Sequence, residues 1–157
     1  MPHPTTAERF RMKTRTGPTV TEELGPCLDW IGALTTAGYS SFWFGGKVGY
    51  GHIYAWQEEH GPVPPGRRLD HRCSRRHCVR RSHLRLATGK QNGEHRGGPN
   101  RNNTTGYRGV YLDRRTGLYY GQVMHHGKAQ NIPRHKDPAV VAQAVQELRV
   151  RLFGDFA

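Results

Sequence analysis

Three soft ligands stand at regular intervals in the middle of the chain, Cys73-x4-Cys78-x4-His83, and a third cysteine, Cys27, lies far upstream. Three thiolates and one imidazole are the donor set of a closed, tetrahedral zinc site of the structural type. His77 falls inside the same loop, so spacing alone leaves it as a competitor of His83. Two residues before Cys73 stands His71, preceded by Asp70, in Arg67-Arg-Leu-Asp-His-Arg-Cys73. A fifth ligand that close would crowd the ion. An imidazole with an ordinary pKa of about 6.5 is largely neutral at pH 7 and suits the role of general base. The arginines around it favour the neutral form and draw in phosphates. Asn92, further on, offers an amide oxygen, and such oxygens suit Mg²⁺, which keeps several waters and takes few protein ligands.

These groups need elements to hold them. Gly38 to Phe44 is aromatic and β-prone, Gly45-Gly46 is a two-residue turn signal, and Lys47 to Tyr50 returns as the partner strand of a hairpin. His52 to His60 reads as a short helix, stopped by Gly61 and the prolines that follow, and Arg67 to His71 as another short strand. The run from Leu86 to about His95 predicts a helix with Thr88 as its N-cap. Residues 97–105, which include Gly97-Gly98-Pro99-Asn100, form the linker. Beyond it Tyr107–Leu112, Leu118–Met124 and Lys128–Ile132 predict a three-stranded meander. A helix follows, with Asp137 as N-cap, Pro138 at its first position and Gly154 as its stop. Val141, Ala144, Val145, Leu148 and Leu152 share one face of that helix, a stripe we read as core.

Composition narrows the partners. The 157 residues hold 24 Lys+Arg against 12 Asp+Glu, a formal charge of +12, with 34% hydrophobic residues. That is room for one ordinary domain or two small ones, neither with a large core, and such modules usually need a staple. A zinc site joining Cys27 to the Cys73–His83 region is that staple, and can contribute on the order of 10 kcal/mol to folding. Three cysteines cannot all pair internally, which favours a reducing compartment and metal ligation over a disulfide framework. No long apolar run and no apolar stretch near the N-terminus exist, so we expect a soluble, cytoplasmic protein without membrane attachment. Residues 66–101 contain eleven Lys+Arg against Asp70 and Glu94, net +9, wrapped around His71 and the ligand spacing rather than lying in a tail. The expected partner is nucleic acid.

The run Asp70-His71-x-Cys73-x4-Cys78-x4-His83-Leu84, followed by Asn92, resembles the ββα-metal (HNH) nuclease motif in its zinc-containing form, as in the His-Cys box homing endonucleases. Cys27-Leu-Asp-Trp-Ile-Gly-Ala33 is similar to the Cys-Trp-x-Trp-x-Gly-Ala opening of phage HNH endonucleases, and Gly61-Pro-Val-Pro-Pro-Gly66 to their turn before the catalytic strand. The resemblance spans about residues 8 to 95. It implies that His71 activates water, that Asn92 holds a catalytic Mg²⁺ (or Mn²⁺) with Asp70 as a second ligand, and that Cys27, Cys73, Cys78 and His83 hold structural zinc. One departure stands out: Arg80-Arg81 replaces the Asn-Pro whose Asn braces the catalytic loop in that family.

Thr105-Gly-Tyr-Arg-Gly-Val-Tyr111 and Gly117-Leu-Tyr-Tyr-Gly-Gln-Val123, with the strand and helix after them, resemble the AP2/ERF-type DNA-binding domain. In that family a three-stranded sheet enters the major groove. The resemblance implies that Arg108, Tyr111, Gln122 and Met124, together with Lys128 and Asn131, face DNA. Ile132-Pro133 replaces that family's Leu-Gly, and the Asp113–Gly117 loop is one residue longer, yet Arg114 and Arg115 reach phosphate in either register.

The expected fold class is α+β: an HNH nuclease domain over residues 1–96, the linker 97–105, and an AP2-like domain over 106–157. The expected function is metal-dependent, site-specific cleavage of double-stranded DNA, of the homing type. Arg67, Arg68 and Arg72 grip the backbone, and Lys47, Arg67 and Arg72 are alternatives for stabilising charge at the scissile phosphate. The rival readings are a zinc-stabilised DNA-binding regulator without catalysis and an HNH nuclease of restriction or packaging type. A homodimer stays open: no heptad run exists, and the final helix with Phe153 and Phe156 is the one candidate interface.

Overall fold

The protein, described here by a computed structural model over residues 3–96 and 98–157, separates into two compact units, Met1–Asn92 and Gly93–Ala157. The division falls between Asn92 and Gly93 rather than at the expected linker. Gly97, the first residue of that linker, lies outside the described residues, as do Met1 and Pro2. No described helix is long and apolar enough to cross a membrane.

In the first unit, α1 (Thr6–Arg11) is closed by a capping box, with Glu8 N–H donating to Thr5 Oγ1 at 3.2 Å and Thr5 N–H to Glu8 Oε2 at 2.7 Å. It is followed by β1 (Thr14–Thr19), which pairs antiparallel with β2 (Pro26–Trp30). The expected hairpin forms from β3 (Ser41–Phe44) and β4 (Lys47–Tyr50), with both turn glycines at positive φ. Helix α2 (Gly51–His60) stops at Gly61, whose φ of 74° a side chain would resist. Phe10 of α1, Trp30 of β2, Phe42 of β3, Tyr54 and Ala55 of α2, and Val79 make the core. It is largely aromatic: Phe10 lies 4.9 Å from Tyr54 and 5.3 Å from Trp30 between ring centroids.

The unit closes with β5 (Arg68–His71), β6 (Leu84–Ala87) and α3 (Gly89–Glu94), the ββα order the sequence resemblance implies. Here one expectation is corrected. The helix placed over Leu86–His95 begins only at Gly89, because Leu84 to Ala87 pair antiparallel with His71 to Arg68. Thr88 is the cap, trading hydrogen bonds with Gln91 at 2.8 and 3.1 Å.

The second unit holds the meander β7 (Val110–Asp113), β8 (Leu118–His125) and β9 (Lys128–His135), covered by α4 (Pro138–Phe153). Asp137 caps α4 through Ala139 N–H at 2.8 Å. Strand β9 runs past Pro133, where the expected strand ends at Ile132. Tyr119 faces His135 and Gly121 faces Ile132, so two residues oppose Tyr120 in a bulge, and on this edge strand the missing N–H of proline is tolerated. The residues expected as linker carry their own structure: Asn103 Oδ1 accepts from the N–H of Thr105 and Gly106 at 3.0 and 2.8 Å, and Thr105 Oγ1 donates to Val110 C=O at 3.0 Å.

Val110, Val123, Val141, Val145 and Leu148 form this unit's core, with Phe153 against it, so α4 spends its apolar face on its own sheet. The helix lies so close that a Cβ on Gly121 would sit 2.5 Å from Val145 Cγ2 and 2.8 Å from Ile132 Cβ. Gly121→Ala is therefore expected to destabilise the second unit by about 1–3 kcal/mol through overpacking. Urea melts of the full chain check this, and adding Val145→Ala should restore part of the loss.

Candidate functional site

Pairing of β5 with β6 brings the ends of segment 72–83 together, and Arg72 N–H donates to His83 C=O at 2.8 Å. Within it, Ser74 takes a positive φ of 55° and its N–H bonds His71 C=O, which turns Cys73 inward. Strand β2 runs alongside: Trp30 N–H donates to His77 C=O at 2.9 Å and Val79 N–H to Leu28 C=O at 2.8 Å, with Asp29 bridged to Cys78. These backbone bonds carry Cys27 to the other two cysteines. The ligand atoms of Cys27, Cys73, Cys78 and His83 all lie within 4.8 Å of one another, and all four residues are buried.

His83 Nδ1 stands 3.5 Å from Cys27 Sγ and 3.6 Å from Cys78 Sγ. Ligands about 2.1–2.3 Å from a tetrahedral zinc are spaced at such distances. His83 Nε2–H donates to Leu24 C=O at 2.8 Å, which fixes the tautomer that leaves Nδ1 for a metal. His77, the competitor by spacing, points elsewhere, with Nε2 3.0 Å from Arg75 and 3.5 Å from the Asp29 carboxylate. The Arg75–Asp29 ion pair, 2.7 Å, clamps the loop onto β2. Burial pushes the Cys27 thiol pKa up, and the hydrogen bond between Cys73 and Cys78 raises the Cys73 pKa while bringing Cys78 down to about 5. A buried Cys₃His set of this kind can bind zinc.

His71 ends β5 beside this cluster. Its Nε2–H donates to Cys78 C=O at 3.0 Å, so Nδ1 is the nitrogen left with a lone pair. Burial is the largest influence on its pKa and lowers it, outweighing the carbonyl and carboxylate that pull the other way, so the ring is neutral at pH 7. Asp70 Oδ2 receives Arg85 Nε–H at 2.8 Å, which gives this carboxylate an ion-pair partner in addition to its expected role. Asn92 lies half-buried on α3, its N–H bonded to Thr88 C=O at 3.0 Å.

Around His71 the structure adds residues that spacing did not single out. His52, at the start of α2, packs against it in a T-shaped contact with centroids 4.8 Å apart. Tyr39 lies 6.1 Å from His71, and Arg76 lies over Tyr39 at 5.8 Å. His52 Nδ1 is fully buried without a hydrogen-bond partner, a loss worth about 1–3 kcal/mol. No local pattern marks His52, because its nearness to His71 depends on how the hairpin and α2 pack. Among the basic candidates, Arg67, Arg68 and Lys47 are exposed, while Arg72 pairs with Glu23 at 2.8 Å.

In the second unit, strand alternation puts Tyr111, Tyr120, Gln122, Met124 and Asn131 on the face away from α4. Tyr111 and Tyr120 are 5.5 Å apart, Gln122 donates to Asn131 at 3.2 Å, and Arg134 lies over Tyr120 at 5.8 Å. Arg114 and Arg115 are exposed in the β7–β8 turn. Two expected members of this face sit otherwise. Lys128 pairs with His125 and so shares the parity of the helix-facing residues. Arg108 turns to the end of α3, donating to Glu94 C=O at 2.8 Å and Arg96 C=O at 2.6 Å, where carbonyls at a helix C-terminus lack intrahelical donors. Arg149 joins it there, at 3.2 Å from Glu94 Oε2 and 2.6 Å from Glu94 C=O.

Residues 50–94 match the HNH endonuclease family. The chain is 37% identical over 68 residues to Protein 7.7 of Escherichia phage T7, a match covering 43% of this chain and 52% of that protein, so it spans about half the relative's length. It is 31% identical over 106 residues to Protein 3.8 of the same phage, covering 68% of this chain and 86% of the relative. No solved structure matches. On that coverage the chain belongs to the same family as Protein 3.8 of Escherichia phage T7, and its residues 50–94 carry an HNH endonuclease domain.

Proposed function

We propose that the protein is a metal-dependent, site-specific DNA endonuclease of the homing type, with His71 as general base and the Cys27/Cys73/Cys78/His83 cluster as a structural zinc site. The observation that carries this reading is the 3.0 Å hydrogen bond from His71 Nε2–H to Cys78 C=O. It sets the tautomer and aims of the imidazole through the backbone of a zinc ligand, and burial keeps the ring neutral. His71 Nδ1 then takes the proton of an attacking water, and the resulting imidazolium keeps its Nε2–H on the carbonyl.

Asn92 and Asp70 together offer an amide and a carboxylate oxygen, the sparse oxygen set that Mg²⁺ or Mn²⁺ takes. When bound, the ion would supply charge neutralisation at the phosphate and the leaving 3′-oxygen. Arg85 holds the Asp70 carboxylate in place. Exposed Arg67, Arg68 and Lys47 supply cationic charge for the backbone, and the outer sheet face with Tyr111, Gln122, Met124 and Asn131, flanked by Arg114 and Arg115, reads bases. One copy holds one such site among the described residues, so one copy makes a nick and a double-strand break takes two.

The Arg80-Arg81 departure does not favour the non-catalytic reading. Arg80 donates through Nη1 to Pro26 C=O, beside Cys27, and Arg81 pairs with Glu59 at 3.3 Å. Arginine thus braces the loop where the HNH motif that the sequence resembles has asparagine.

Two measurements test this. His71→Ala should remove Mg²⁺-dependent conversion of supercoiled plasmid to nicked or linear product by about 10²–10⁴-fold while the chain stays folded and zinc-loaded. Cleavage by this variant at the wild-type rate would show that another group is the base. Metal analysis should find one zinc per chain, and stripping it with a strong zinc chelator should unfold the first unit, as should Cys78→Ser, because the ion contributes on the order of 10 kcal/mol. An unchanged far-UV spectrum and melting curve after stripping would exclude a structural zinc.

A further inference from the structure

His52 is an odd choice for a core position. It is 6% exposed, its Nδ1 is sealed from solvent without a partner, and its pKa is taken down to about 3, first by burial and then by the neighbouring His71. Its backbone is fixed, with N–H donating to Ser40 Oγ at 3.3 Å. The ring is enclosed by three others: His71 at 4.8 Å and 64°, Tyr39 at 5.7 Å and 44°, and Tyr50 at 5.4 Å and 25°. A phenylalanine would fill this space without burying an orphaned nitrogen. Unsatisfied buried polar groups that proteins retain concentrate where function supplies the missing partner.

Two features say what that partner is. The ring stacked on His52 belongs to Tyr50, which is 43% exposed at the end of β4, so the side chain that covers one face of His52 is itself at the surface. The contact on the other side is the proposed base, which places His52 within one ring's width of the reacting phosphate. A neutral imidazole in its Nδ1–H tautomer donates one hydrogen bond without adding a charge, and a phosphodiester's non-bridging oxygens accept such bonds.

We propose that His52 is a second catalytic imidazole of this site, which, once the Tyr50 ring moves aside and the imidazole turns into the space it leaves, donates Nδ1–H to a non-bridging oxygen of the bound phosphodiester. The inference rests on the nuclease reading above. It makes His52 a contributor to the rate rather than to the fold, since its hydrogen bond forms only with substrate in place.

The test is single-turnover cleavage of supercoiled plasmid by the full, zinc-loaded chain with Mg²⁺, alongside plasmid binding with Ca²⁺ in place of Mg²⁺ and thermal melting. His52→Phe should cleave about 10–100-fold more slowly, bind plasmid as the wild type does, and melt no lower, because an orphaned polar atom has been removed. His52→Asn, which keeps a side-chain N–H, should recover part of the rate. Cleavage by His52→Phe at the wild-type rate overturns the proposal. So does a rate loss matched by a lower melting temperature and weaker plasmid binding, which would make His52 a packing residue. If the wild type itself cuts nothing, the nuclease reading fails first and the role of His52 falls with it, and the wild-type lane separates the two failures.

Discussion

Cys78 is the residue through which the first unit is tied together, and each of its groups has a separate task. Its sulfur belongs to the Cys₃His cluster, its carbonyl accepts the Nε2–H of His71, and its backbone bridges to Asp29 on β2. A unit whose core amounts to Phe10, Trp30, Phe42, Tyr54, Ala55 and Val79 has little apolar area with which to hold a loop such as 72–83 in one place. Ligation at the sulfur would fix the carbonyl, and the carbonyl fixes the imidazole. The position of one side-chain nitrogen therefore depends on the Cys₃His cluster behind it, in the way that outer groups orient the ones they support.

The second unit meets the same problem of size through close packing. Gly121 lets α4 approach until Val145 touches the sheet, and this close contact takes the place of a larger core. Arg149, buried beside this core, is held by both the carboxylate and the carbonyl of Glu94, and Arg108 adds a second guanidinium at the same spot. Buried charge is tolerated here because every partner is a full or partial negative charge at the end of a helix. The consequence is that Glu94, which the sequence places among the basic residues of the first domain, is structurally a residue of the second unit.

Much of this was legible from residue types and spacing. The Cys73-x4-Cys78 interval pointed to two of the clustered thiols, the Gly45-Gly46 turn identified the hairpin, and Asp137-Pro138 with Gly154 marked both ends of α4. These signals are local, so the chain alone carries them. Helix α1 was not among the elements expected from the sequence, although Thr5-x-x-Glu8 is a local signal for it, and the fold shows why it matters, by delivering Phe10 to the core. The choice of His83 over His77 was not legible, because it turns on the carbonyl of Leu24 and the carboxylate of Asp29, more than forty residues upstream. Helix was expected over Leu86 because a stretch as short as Leu84–Ala87 fits either period, and pairing with β5 decides it as strand. His52 could not have been found, since its meaning comes from three rings brought to it by β4, β5 and the segment before β3.

The basic segment also changes character once its contacts are known. Read along the chain, residues 66–101 are a block of net +9. In the fold, Arg72, Arg75 and Arg81 are matched by Glu23, Asp29 and Glu59, acids that lie outside the segment, and Arg85 is matched by Asp70 within it. Those arginines pin the loop and strands that carry the site, and pairs such as Arg75–Asp29, with the carboxylate buried, are poorly screened by salt. The cations left exposed at Arg67, Arg68, Arg76 and Lys90 act at longer range and are screened readily. One run of like charge therefore does two physically distinct things. Its inward members hold the loop and the strand around His71 in place, and its outward members carry the charge that favours an anionic partner. Charge that acts in this second way, through distance, carries no preference for one base sequence over another.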